Sequence, residues 1–202
     1  SHATCYSWVA YQTGYLKAHY PAEYMAALMT RRFSQITEIT KLMEECKSMG
    51  IPTLGPDVNE SYEDFGVNKS GAVRFGLKAI KGMGELAAKS IVEERQKNGP
   101  YKDIYDFVER TNFANVNRKA LESLALSGGL DCFGLKREQY FGKDAKGVQI
   151  LDTLLRFGQN YQREKQEAQF TFFGPTMAVD IAYPQIPEVE EWSTIERLNK
   201  ER

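Results

Sequence analysis

The chain has 202 residues, 42% of them hydrophobic, enough for one or two packed units. Its formal net charge of −1 excludes a protein that coats nucleic acid by bulk charge, while leaving room for local phosphate contacts. No apolar run is long enough to span a bilayer, and the first residues lack the charged and apolar regions of a signal peptide, so neither a membrane nor secretion is expected. Cys5, Cys46 and Cys132 are odd in number and widely spaced. They fit a reducing, cytoplasmic setting better than a disulfide framework or a zinc site. His2 and His19 are too few for a His-rich metal centre.

In chain order, residues 3–20 place Tyr6, Val9, Thr13, Leu16 and Tyr20 on one helical face. This helix begins with no cap before it, which suggests a chain cut from something longer. Pro21 opens a second helix at a position where its missing N–H costs little. Tyr24, Met25, Leu28 and Met29 form its expected buried face. A third helix is predicted from about Gln35 to Met49, with Ile36, Ile39, Leu42, Met43 and Cys46 in register, Ser34 as cap and Gly50 as stop. From Ile51 the pattern changes, because Pro52, Gly55 and Pro56 break helix. Phe65 and Val67, a turn at Asn68–Gly71, then Val73 and Phe75 read as a small β-hairpin. Asp57, Glu60, Glu63 and Asp64 read as a solvated acidic loop.

The central stretch is FGLKAIKGMGELAAKSIV, from Phe75 to Val92. Gly82 and Gly84 flank Met83, whose side chain can point back and anchor a tight turn. Ala87, Ala88, Ile91 and Val92 follow at helical spacing. The N–H groups of Gly82, Gly84 and the start of the following helix are expected to be exposed together, and such a cluster, with the positive end of a helix dipole behind it, suits an oxygen-rich anion. Lys78, Lys81 and Lys89 add positive charge, and with Arg74 against Glu85 alone, residues 74–89 carry a local excess of basic groups. The pattern resembles a helix-hairpin-helix, which holds nucleic-acid phosphates without reading bases. An ordinary loop entering a helix is the plainer alternative.

Beyond it, Asn98-Gly99-Pro100 stops the helix. Asp103 can cap a short helix carrying Ile104, Phe107 and Val108. Asn117 can cap another with Leu121, Leu124, Ala125 and Leu126 buried, before Ser127-Gly128-Gly129 turns the chain. This pair resembles a degenerate second hairpin module in which Arg118 and Lys119 touch phosphate; two packing helices with a glycine stop fit equally well. Val148, Leu151, Leu154, Leu155 and Tyr161 mark a further helix whose end is polar all round. After it come Gln169, Phe170, Thr171, Phe172 and Phe173, an apolar burst badly placed to build a core and so a candidate binding surface, or else a return strand. The tail with Pro184 and Pro187 reads as a linker tied down at Trp192.

The fold class expected is mainly α: a helical segment over 1–50, a connector with a β-hairpin over 51–76, tandem helix-hairpin-helix modules over 77–133, a helix and binding motif over 134–174, and a linker over 175–202. Taken in order, SHATCYSWVAYQTGYLKAHYPAEYMAALMT, ITKLMEECKSMGIPTLGPDVNESYEDFGV, RFGLKAIKGMGELAAKSIVEER, LESLALSGGLD and WSTIERLNKER resemble the bacterial replicative DNA polymerase III alpha subunits. The resemblance covers nearly the whole chain, from the end of the fingers through the helix-hairpin-helix to a clamp-binding region. It implies that the parent enzyme extends a primer with two metal ions, magnesium, held by palm aspartates. No Asp-x-Asp pair occurs here, so this segment is expected to bring no cofactor and to be inactive alone. Ser1 and His2 would adjoin the nucleotide pocket. Lys78, Lys81, Gly82, Met83, Gly84, Lys89, Arg118 and Lys119 would hold duplex primer-template DNA. Gln169 with Phe172 and Phe173 would enter a sliding clamp, although that motif usually carries leucine where Phe170 and Phe172 stand. Other replicase subunits are implied partners. A stand-alone DNA-binding module of repair, or a protein-interaction scaffold, are the competing readings.

Overall fold

The computed structural model describes residues 2–170 and 182–201. They are mainly helical, and two compact units divide the chain. The first comprises residues up to Pro56 together with Glu60–Ala79; the second comprises Asp57–Asn59 and everything from Ile80 onward.

In the first unit, α1 (His2–His19), α2 (Pro21–Arg32) and α3 (Ile36–Ser48) lead into a three-stranded sheet. Pro21 stands at the first position of α2, as its lack of an N–H favours. Met25 and Met29 are fully buried and pack with Ala26, Ile39, Cys46, Ile51, Phe65 and Val73 into one core. Tyr24, Leu28, Leu42 and Met43 pack at its edge. Two expectations fail. Ile36 is 80% exposed. The cap position of α3 is taken by Gln35, with no side-chain bond, so Ser34 does not cap it.

The predicted hairpin is present as β2 (Gly66–Val67) against β3 (Val73–Arg74), antiparallel with Val67 opposite Val73. Its turn is organised by Asn68, whose Oδ1 accepts from the N–H groups of Ser70 and Ala72. A third strand, β1 (Thr53–Leu54), pairs parallel to β3 on the other side. The sequence pattern hid it because two residues beside Pro52 give no alternation to read. The acidic stretch is a loop with Glu60 and Asp64 exposed, as read, but both carboxylates have basic partners. Glu60 pairs with Arg74 and also accepts from Asn68, and Asp64 pairs with Lys78 at 2.9 Å.

Helix α1 forms where the periodicity puts it, yet it buries none of its residues. Tyr6, Trp8, Tyr11 and Leu16 are all exposed. Trp8, Tyr11 and Tyr15 interleave with the predicted stripe, so the spacing marks a helix without marking out one apolar face.

In the second unit, α4 (Glu85–Asn98) buries Ala87, Ala88, Ile91 and Val92, the four residues its spacing selects. Arg95 is buried with them and donates from Nη1 to the Val58 carbonyl at 2.7 Å. α5 (Ile104–Arg110) is capped by Asp103, whose carboxylate accepts from the N–H groups of Tyr105 and Asp106. α6 (Arg118–Ser127) is capped by Asn117, which accepts from Ala120 N–H. Leu121, Leu124 and Ala125 are buried as predicted, while Leu126 is half-buried. α7 (Arg137–Phe141) and α8 (Ile150–Phe170) follow; α8 packs on α5, α6 and α7 and buries Ile150, Leu151, Leu154 and Phe157. Gln162, at the start of the polar end of α8, donates to the carbonyls of Glu109 and Thr111, so that end is tied at its root. The tail ends in α9 (Thr194–Glu201).

Candidate nucleic-acid interface

The hairpin begins at Ile80, whose carbonyl accepts from Met83 N–H at 3.0 Å and closes a tight turn. Ile80 and Met83 are buried and anchor it from below. Gly82 has φ +92°, a conformation that L side chains rarely adopt. A Cβ there would also lie 2.7 Å from Ser123 Oγ and 3.4 Å from Lys119 Cε. The hairpin is therefore covered on one side by α6, through two residues four apart on a single helix face.

Gly84 is the N-cap of α4 and supplies no side-chain acceptor. Nothing lies within 4 Å of the place its Cβ would take. Its carbonyl accepts from Ala88 N–H, while the first-turn amides of Glu85, Leu86 and Ala87 have no carbonyl one turn back inside the helix. Met83 N–H is thus taken inward by the turn itself, and the sequence places the anion on the amides of Gly82, Gly84 and the start of α4 instead.

The basic residues separate by their partners. Lys78, in the first unit, pairs with Asp64, and Lys89 lies 3.8 Å from Glu93 one turn on. Arg118 is spent on α8. Its Nε donates to Asp152 at 2.7 Å and its Nη1 to Glu122 at 2.8 Å. The Asp152 hydrogen bond, offset by partial burial, holds its pKa above the ordinary guanidinium value. Lys81 and Lys119 differ: both are exposed and neither has an ion-pair partner among the described residues. Two such cations thus belong to the neighbourhood of Gly82, Lys81 as its chain neighbour and Lys119 with its stem against it from α6. Ser123 was not read from the sequence; its place one turn beyond Lys119 is legible, but its approach to a glycine some forty residues earlier is not.

The remaining candidates lie elsewhere. His2 is exposed at the start of α1, and Ser1 lies outside the described residues. Gln169 and Phe170 enter only as the backbone end of α8, and Thr171, Phe172 and Phe173 lie outside the described residues. Asp103 and Asp106 do not fit a metal pair. The first is spent on its cap; the second accepts from Lys102 N–H and pairs with Arg110 at 2.9 Å. No group of three potential ligands stands together among the described residues, and no helix among them is long and apolar enough to cross a membrane.

A family model of the helix-hairpin-helix motif matches residues 50–140, which contain the turn, α4, α5 and α6. The chain thus carries a helix-hairpin-helix region. It belongs to the family of bacterial DNA polymerase III alpha subunits. It is 42% identical to the "DNA polymerase III subunit alpha" of Chlamydia trachomatis over 100% of its own length and 15% of that protein's. It is 37% identical to that of Vibrio cholerae over 100% of the chain and 17% of the relative. To that of Chlamydia muridarum it is 44% identical over 86% of the chain and 13% of the relative. The chain therefore spans only about a sixth of the length of these curated relatives.

Proposed function

We propose that this chain is a non-catalytic, duplex-gripping segment of a replicative DNA polymerase. Its hairpin and the facing side of α6 hold the sugar–phosphate backbone of primer-template DNA behind the growing end. The observation that supports this most directly is the pair of uncompensated cations, Lys81 and Lys119, in the neighbourhood of Gly82, beside the uncapped start of α4. A phosphate there gains two point charges and the positive end of the helix dipole, neither of which reads base identity. Met83 contributes as an anchor beneath the turn. Lys78, Lys89 and Arg118, each already paired, contribute less unless DNA displaces an acidic partner.

The polymerase activity, with its magnesium ions and palm aspartates, belongs in this reading to the parent enzyme; this segment supplies grip and placement. The second contact is the sequence Gln169–Phe173, which we assign to a sliding clamp on its glutamine and terminal aromatic pair. Joining a duplex grip to a clamp tether turns rebinding after release into a local event at high effective concentration. Other replicase subunits remain partners of the parent.

Fluorescence anisotropy with labelled duplexes tests the grip. Binding is expected to be independent of sequence, to fall modestly with salt, and to weaken at least fivefold in Lys81→Glu, on the order of the loss of one phosphate contact with added repulsion. Equal affinity in that variant would remove the hairpin assignment. For the clamp, replacing Phe172 and Phe173 together by alanine is expected to abolish binding, and unchanged affinity would remove that role.

A further inference from the structure

The tail from Ala182 to Ser193 contains neither helix nor strand, yet it is not a free linker. Tyr105 Oη on α5 donates to the Pro184 carbonyl at 2.6 Å, and Gln139 Nε2 on α7 donates to the Pro187 carbonyl at 3.1 Å. Trp192 N–H donates to Glu138 at 2.9 Å, and the Trp192 ring lies 5.4 Å from that of Phe141. Two prolines lower the entropy lost when such a segment is held extended. The tail is a strap laid across α5 and α7.

What α7 does next is the point of interest. Arg137 Nη1 donates to the Leu126 carbonyl at the end of α6, at 3.1 Å, while its Nη2 is held by Asp131 at 2.7 Å. The start of α6 is fixed separately by Arg118 on Asp152. The strap thus reaches Lys119 and Ser123 through two physical links, strap to α7 and α7 to α6. We propose that residues 182–193 are a buttress of the phosphate-gripping site: by holding α7 they fix the helix that presents Lys119 over Gly82. The inference rests on the duplex-binding reading given above, but its mechanical half stands without it.

Two substitutions loosen the strap without touching the hairpin. Trp192→Ala removes the ring that packs against Phe141. Gly142→Ala acts from beneath, because a Cβ there would lie 2.8 Å from Val189 Cγ1. The backbone at Gly142, φ −61° and ψ 166°, admits any residue, so this change works by crowding alone. Hydrogen exchange and duplex affinity are measured on the full chain. Both variants are expected to raise exchange over the strap, α7 and the last turn of α6, and to weaken duplex binding about fivefold. Lys119→Ala is expected to weaken binding with exchange unchanged. Faster exchange confined to the strap, with duplex affinity intact, overturns the proposal, and so does a strap unaffected in both variants. Should the wild-type chain bind no duplex, the functional reading falls, and exchange in α6 still decides the mechanical coupling.

Discussion

Gly82 answers two requirements at once: a left-handed backbone and a gap too narrow for a methyl group beneath Ser123. Gly82→Ala is therefore expected to destabilise the second unit by about 1–3 kcal/mol, from φ strain and crowding together, as read from urea unfolding. Gly84→Ala, with open space where its Cβ would stand and an extended φ of −76°, is expected to cost far less. Similar losses in both would contradict the packing of α6 on the hairpin. Glu109 makes a different residue-scale prediction. Burial first, and the nearby Asp106 second, raise its carboxyl above the ordinary value of 4.5. The folded state then binds a proton the unfolded state has already lost. Its contribution to stability is full below the unfolded value and is lost as pH rises through the folded one. Glu109→Gln is expected to flatten that decline in a series of urea midpoints against pH; an unchanged slope would remove the assignment.

At the scale of elements, two of the three predicted caps were legible, Ser34 being the one that failed. Asp103 and Asn117 each hold first-turn amides as their residue type predicts, so Asp103→Ala and Asn117→Ala are each expected to cost about 1 kcal/mol in thermal or chemical unfolding. Helix periodicity likewise selected the buried faces of α4 and α5, because alanine, isoleucine and phenylalanine recur at the turn repeat and nothing else competes for them. What periodicity did not carry was partner identity. α1 shows the limit: a run of aromatic residues specifies a helix without naming what covers it. β1 was invisible for a different reason, since a strand of two residues exists only through its pairing with β3. The basic hairpin face illustrates the same gap. Residue counting made it a broad positive patch, whereas Glu60 and Asp64 neutralise Arg74 and Lys78 from an earlier loop. Only three-dimensional pairing reduced the candidate cations in the second unit to Lys81 and Lys119.

Across the whole molecule, the proposed function has a chain of near-zero net charge meet a polyanion through a few placed groups. Such binding is expected to carry a shallow salt dependence compared with a basic DNA-coating protein, because few counterions are released. Kinship to the polymerase III alpha subunits, along the full chain but only about a sixth of their length, fits a specialised role inside a larger enzyme. The salt slope of duplex binding in the double variant Lys81→Ala, Lys119→Ala is the most direct measurement of the central claim. If these two lysines flank one phosphate path over Gly82, log K against log salt is expected to flatten by about 1.8, close to 0.9 for each lost contact, with affinity reduced for every duplex sequence alike. A double variant with the wild-type slope and affinity would show that the DNA is held elsewhere.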